Sequence, residues 1–145
     1  MSTQTLAPAH PAPHRGRVGL VGAAFGLLAA PAAWVLHLLV SYALSSFACF
    51  PKGEAVHAPI WPALRPLLWG IDVVAIAIGI AAGLVAWRTW QRTQQEAGAG
   101  AHTLIDAGEG RTRFLGLCGV LASAGFLLAL VFASVGLIVV PACAG

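Results

Sequence analysis

Residues 114–140 read FLGLCGVLASAGFLLALVFASVGLIVV, from Phe114 to Val140, without an acid, a base or a histidine. Crossing ~30 Å of hydrocarbon takes roughly 20 apolar residues in a helix. A stretch of this length has no place in a small soluble domain, so it reads as a membrane span. Two more runs of the same kind precede it. Val18 to Phe47 contains no acid, lysine or arginine, and Leu67 to Trp87 is interrupted only by Asp72. None of the three alternates with period two, which excludes the strands of a membrane barrel.

The whole chain agrees with that reading. Of its 145 residues 59% are hydrophobic and 9% charged, with a mean hydropathy of +0.84. A soluble domain carries about 25% charged residues to hold its surface in water. The expected fold is therefore an all-α, three-transmembrane-helix bundle with spans at 18–47, 67–88 and 114–140. Residues 1–16 form a disordered cytoplasmic tail, with Pro8, Pro11 and Pro13 among Ala and His, and 17–145 are the membrane domain.

Basic residues set the orientation. Arg15, Arg17, Arg88, Arg92, Arg111 and Arg113 fall on one side of a three-span chain, and only Lys52 and Arg65 on the other. Six against two places the six in the cytoplasm, so the N-terminus lies inside and the C-terminus outside. A net charge of +3 then reflects helix anchors beside anionic headgroups, not a nucleic-acid surface. A rival reading takes Arg15 to Ala32 as a signal peptide cleaved near Ala30-Pro31-Ala32. It leaves Trp34 to Phe50 too short to span, so the uncut anchor is preferred.

Pro31 lies near the middle of the first span, where a kink is expected. Pro51, Pro59, Pro62 and Pro66 stiffen an outer loop from about Phe50 to Pro66. The inner loop runs from Gln91 to Gly110. Trp61 and Trp69 mark the outer interface and Trp87 and Trp90 the inner one, with Arg111 and Arg113 as further anchors. Small residues stand four apart as Gly22, Gly26 and Ala30, as Ala75, Gly79 and Gly83, and as Gly125, Ala129 and Ala133. Such ridges let helices approach closely in lipid, and they read as packing within one bundle.

His37 and Asp72 are the notable ionisable residues within the spans, and a polar group there is costly unless it has a partner. His37, Ser41 and Ser45 form a polar stripe at intervals of four. The residues leave two arrangements open. His37 and Asp72 could pair and face a polar path or a partner subunit. The arrangement favoured by their nearness to a helix end has His37 donating to a backbone carbonyl and Asp72 reaching interfacial water or Arg65.

No cofactor is implied. His37 is the only histidine in a span and Met1 the only methionine, so neither bis-His nor Met–His haem ligation fits. Cys49, His57 and Cys143 lack compact metal-ligand spacing, and no C-x-x-C is present for thiol redox chemistry. Phosphate loops, nucleophile elbows and zinc-protease motifs are also missing, so the chain is not expected to be an enzyme.

Cys49 and Cys143 emerge together on the outer face, because the first and third spans both run outward. That face is oxidising, and a disulfide between them is expected there. Cys118, in the cytoplasmic half of the third span, is left over. The chain-entropy model assigns a loop of ~95 residues on the order of 4–5 kcal/mol, an upper value for a chain already held in a bilayer.

Three segments taken together carry a family likeness. They are PAAWVLHLLVSYAL from Pro31 to Leu44 with Cys49-Phe-Pro51, GRTRFL from Gly110 to Leu115, and the terminal Pro141-Ala-Cys143. The chain resembles a group of small bacterial inner-membrane proteins that tend to be encoded near haem-copper cytochrome c oxidase genes. The likeness covers the membrane segments and not the tail or loops. It implies a respiratory setting without an activity. Members often carry Gln where His37 stands, which implies that a hydrogen-bonding side chain matters there more than a titrating one.

The expected role is a non-catalytic accessory or assembly subunit of a cytochrome c oxidase-type complex in the bacterial inner membrane. Its partners would be the lipid bilayer and subunits of a terminal oxidase; its oligomeric state is open. The alternative is a stand-alone small transporter or channel built by oligomerisation around His37 and Asp72.

Overall fold

The computed structural model describes residues 20–96, 109–141 and 143. The expected tail at 1–16, with His10 and His14, lies outside them. The described chain is all-α: α1 (Leu20–Cys49), α2 (Leu64–Glu96) and α3 (Glu109–Val139), each packed against the other two. All three are long and apolar enough to cross a membrane, over Val21–Cys49, Leu64–Arg92 and Phe114–Val139.

Several boundaries differ from the sequence reading. Helix α2 begins at Leu64, inside the expected outer loop. Pro66 falls in its first turn, where the missing N–H would have had no helical partner anyway. The same helix continues to Glu96, past the expected start of the inner loop at Gln91, and α3 takes in Gly110 to Arg113. Helix α1 runs through Pro31 as one element and ends at Cys49, two residues beyond Phe47.

Residues in steps of three and four face the bundle axis. Along α1 these are Gly26, Ala30, Ala33, His37 and Ala48, with Ser41 and Leu44 half-buried in the same stripe. Along α2 they are Leu64, Leu68, Asp72, Ala75, Gly79, Ala82 and Ala86. On α3 they are Gly116, Gly119, Ser123 and Leu130, continued by half-buried Leu127, Ser134 and Leu137. This alternation is the seam of helices packed nearly side by side. The α3 ridge expected from sequence, Gly125, Ala129 and Ala133, is not that seam. Gly125 is exposed, and a Cβ built on it would meet nothing within 4 Å.

Near the end of the seams remote from the disulfide the backbones come closest. A Cβ on Gly119 would sit 3.0 Å from both the Gly26 carbonyl oxygen and the Ala86 Cβ. One on Gly26 would stand 3.2 Å from the Ala86 backbone, and one on Gly116 3.4 Å from that of Trp90. All three helices thus meet where side chains are smallest, which maximises van der Waals contact in a solvent as apolar as the side chains themselves. Trp87 and Trp90 pack on each other nearby, tilted, at 5.0 Å between ring centroids.

The opposite end is tied together differently. Cys49 and Cys143 form the disulfide, with Cα atoms 5.4 Å apart and a sequence separation of 94. It joins the end of α1 to the segment after α3. Arg65, in the first turn of α2, donates through Nη2 to the carbonyls of Leu137 at 3.3 Å and Ile138 at 3.5 Å. Those carbonyls are the unpaired, partly negative end of α3, a natural seat for a guanidinium. The loop folds back over α1, with the Val56 N–H donating to Cys49 O and the Ile60 N–H to Ala48 O. Beneath it Ala48, Leu64 and Leu68 form an apolar cluster with Leu44 and Leu137 packed on it.

Replacing Gly119 by Leu should destabilise the bundle by about 1–3 kcal/mol, the usual scale of overpacking. The same change at Gly125 should be tolerated, since its surroundings are open. Thermal unfolding of both variants in mild detergent compares them directly; equal losses would contradict the seam described here.

Candidate functional site

Two layers inward from the disulfide, one polar side chain from each helix reaches the same place. His37 of α1, Asp72 of α2 and Ser134 of α3 all occupy seam positions, so the packing that joins the helices brings them together. His37 Nε2 stands 3.2 Å from Asp72 Oδ1, and the two residues are 4% and 1% exposed. Ser134 Oγ donates to Asp72 Oδ2 at 2.5 Å and has the Leu130 carbonyl of its own helix at 3.0 Å. A hydroxyl has one proton, so the short contact to the carboxyl takes it and the carbonyl shares it at most in a three-centre bond.

The His37–Asp72 contact is close but poorly aimed. It lies within ion-pair distance, yet neither ring nitrogen of His37 nor Asp72 Oδ1 makes a hydrogen bond. The interaction is therefore electrostatic proximity rather than a directed N–H···O bond. Ser41 Oγ, one turn along α1, is likewise buried without a hydrogen-bond partner, and so is Ser123 Oγ on α3.

Apolar layers close the cluster on both sides. Outward lie Leu44, Leu64, Leu68, Ala48 and Leu137. Inward lie Ala33, Ala75 and fully buried Leu130. Trp34, one turn inward from His37 on α1, packs on Phe126 of α3 with ring centroids 5.3 Å apart. The sealed position makes each polar group dependent on the other two.

Of the two arrangements open from sequence, the structure has the His37–Asp72 pair of the first, but enclosed between apolar layers instead of facing a polar path. The favoured arrangement does not hold: Asp72 is buried well away from water at the centre of the seam, and Arg65 is engaged with the end of α3 instead. Counting turns from the end of the span placed Asp72 near the surface, whereas α2 extends outward to Leu64 and carries it deeper. Ser45 is half-buried on the flank of α1 and takes no part in the cluster contacts described. Ser134 was missed, because a serine within a long apolar run carries little signal by itself. Its spacing of four from Leu130 and seven from Leu127 marks the seam in retrospect.

The tryptophans and arginines singled out from sequence were expected as interface anchors. Trp61 and Trp87 are exposed and Trp69 and Trp90 half-buried. Arg111 and Arg113 lie in the first turns of α3, and their side chains are outside the described set. Among the described residues no three His, Cys, Asp or Glu side chains gather as a metal site. Cys118 is a free, half-buried thiol on α3.

The geometry defines a class, a three-span membrane bundle with a sealed polar layer and one interhelical disulfide. Beyond that class, no family model, no curated protein and no solved structure matches this chain.

His37→Leu should destabilise the bundle by about 1–3 kcal/mol more than His37→Gln, because leucine leaves the buried Asp72 carboxyl facing hydrocarbon. Unfolding of both variants in the same detergent measures the difference. Equal losses would mean that the polar character of residue 37 is irrelevant to stability.

Proposed function

We propose that this protein is a non-catalytic accessory or assembly subunit of a respiratory, cytochrome c oxidase-type complex. It sits in the bacterial inner membrane with its N-terminus in the cytoplasm and its C-terminus outside. The observation that carries this reading is the division of labour between the two sides of each helix. His37 and Asp72 are turned onto one another and sealed, whereas the outward faces are mostly apolar. The disposition suits a part that binds other membrane helices better than one that handles a solute.

Helix α3 offers the largest such face. Only 11% of its apolar stretch is buried in the bundle, against 22% for α1 and 28% for α2. Phe114, Leu121, Leu128, Phe132 and Ile138 all point outward from it. The respiratory setting rests on the family likeness of the Pro31–Leu44, Gly110–Leu115 and Pro141–Cys143 segments. The orientation rests on the six-to-two division of basic residues and on a disulfide that needs an oxidising face.

Purification of the tagged protein from its native membrane in mild detergent should bring down subunits of a haem-copper oxidase. Recovery of the chain alone, together with ion conduction by the purified protein in liposomes, would overturn the proposal in favour of an oligomeric channel. Orientation is tested separately. A reporter active only outside the cytoplasm should work when fused after Gly145 and stay silent when inserted near Gly100; activity at Gly100 would reverse the topology.

A further inference from the structure

The polar layer occupies a place in the seam where a slip between helices would be felt. Along α1 the inward residues Gly26, Ala30 and Ala33 are small, and along α2 Ala75, Gly79, Ala82 and Ala86 are small too. Sliding α1 by seven residues in one direction puts Ala23 in place of Ala30 and Gly26 in place of Ala33, one small residue for another. Close packing at those layers therefore discriminates weakly against that slip. The exception is the layer of Asp72. In the observed register it meets His37; one seven-residue slip brings Ala30 or Leu44 there instead. Asp72 would then be a buried carboxyl in hydrocarbon without its imidazole partner, a situation that is costly in a membrane.

We infer that His37, Asp72 and Ser134 are a register lock, which aligns the three helices before the disulfide forms and so makes the disulfide possible. A single buried polar contact in an apolar seam is the best-attested means of fixing register in packed helices. Asp72 is the hub, because one oxygen faces His37 on α1 and the other accepts from Ser134 on α3. With α2 and α3 joined through Ser134, a seven-residue slip of α1 moves it by about 10 Å along the axis at 1.5 Å per residue. Cys49 and Cys143, now 5.4 Å apart at Cα, would then lie beyond the reach of about 7 Å that a bridge allows. The disulfide records the register that the polar layer has chosen. Neither the orientation of the chain nor the identity of its partner enters this argument.

The experiment follows oxidation of the full chain, reduced and held in mild detergent, by oxidised glutathione. Each bond formed consumes one oxidised glutathione and releases two reduced ones, with the two cysteine protons passing to the departing thiols. Wild type and His37→Gln should give the intramolecular Cys49–Cys143 bond in high yield. Asp72→Leu and the double variant His37→Leu/Asp72→Leu should keep their helical content by circular dichroism. Their intramolecular yield should fall, with free thiols and bonds between chains in its place. Two results would overturn the inference. One is a double variant that oxidises to the same intramolecular bond at the wild-type rate and yield, since register would then be fixed elsewhere. The other is a double variant that loses its helical content, since the layer would then supply stability and not register.

Discussion

Helix against helix, this protein gains nothing from the hydrophobic effect, because the lipid around it is as apolar as its own side chains. What holds three spans together is how closely their backbones approach, and the contact among Gly26, Ala86 and Gly119 sets that distance. Every other feature of the interior follows from it. Backbones this near leave a seam too narrow for large side chains on the half remote from the disulfide, and the inward residues of α1 and α2 there are alanine and glycine. The same proximity carries His37, Asp72 and Ser134 within reach of one another further out.

The two ends of the bundle are secured by different physics. At the end remote from the disulfide the attachment is dispersion between small residues. It is short in range and depends on shape. At the other end the attachments are a covalent bond, a guanidinium on the terminal carbonyls of α3, and a loop that supplies donors to the last carbonyls of α1. Those interactions tolerate water, which the interfacial region provides. The division matches the environment, since hydrogen bonds to helix ends and a disulfide are useful where solvent competes for backbone groups, and close packing serves where it does not.

Much of this could be read from the sequence, and the gaps have physical reasons. Three long apolar runs are enough to count the spans, because hydrocarbon thickness imposes their length. The Cys49–Cys143 bridge follows from topology, since two helices that run the same way deliver their ends to the same side. The seam of α3 was out of reach: Gly125, Ala129 and Ala133 are spaced like a packing ridge as well as Gly116, Gly119 and Ser123 are. Spacing along one helix does not say which face meets a neighbour, and only the angular position of α3 decides it. The partner of Asp72 was obscured for a related reason. Its depth depends on where α2 begins, and Pro66 suggested a later start than a helix needs when its first turn can absorb a proline.

The sealed polar layer also bears on how the molecule should be regarded. An ionisable pair in a membrane is costly, and apolar residues of similar volume would often be as stable, so its presence asks for a reason other than stability. Transport would call for a route by which ions or solutes reach the pair. Here Leu130 closes one side, the cluster of Leu44, Leu64 and Leu68 closes the other, and His37 and Asp72 are almost wholly buried. A structural reason fits these surroundings better, because a polar contact discriminates between alignments only when wrong alignments leave it dry and unpaired. The apolar layers on either side supply that condition. Without them a misplaced Asp72 could find water, and the difference between the right register and a wrong one would fall away.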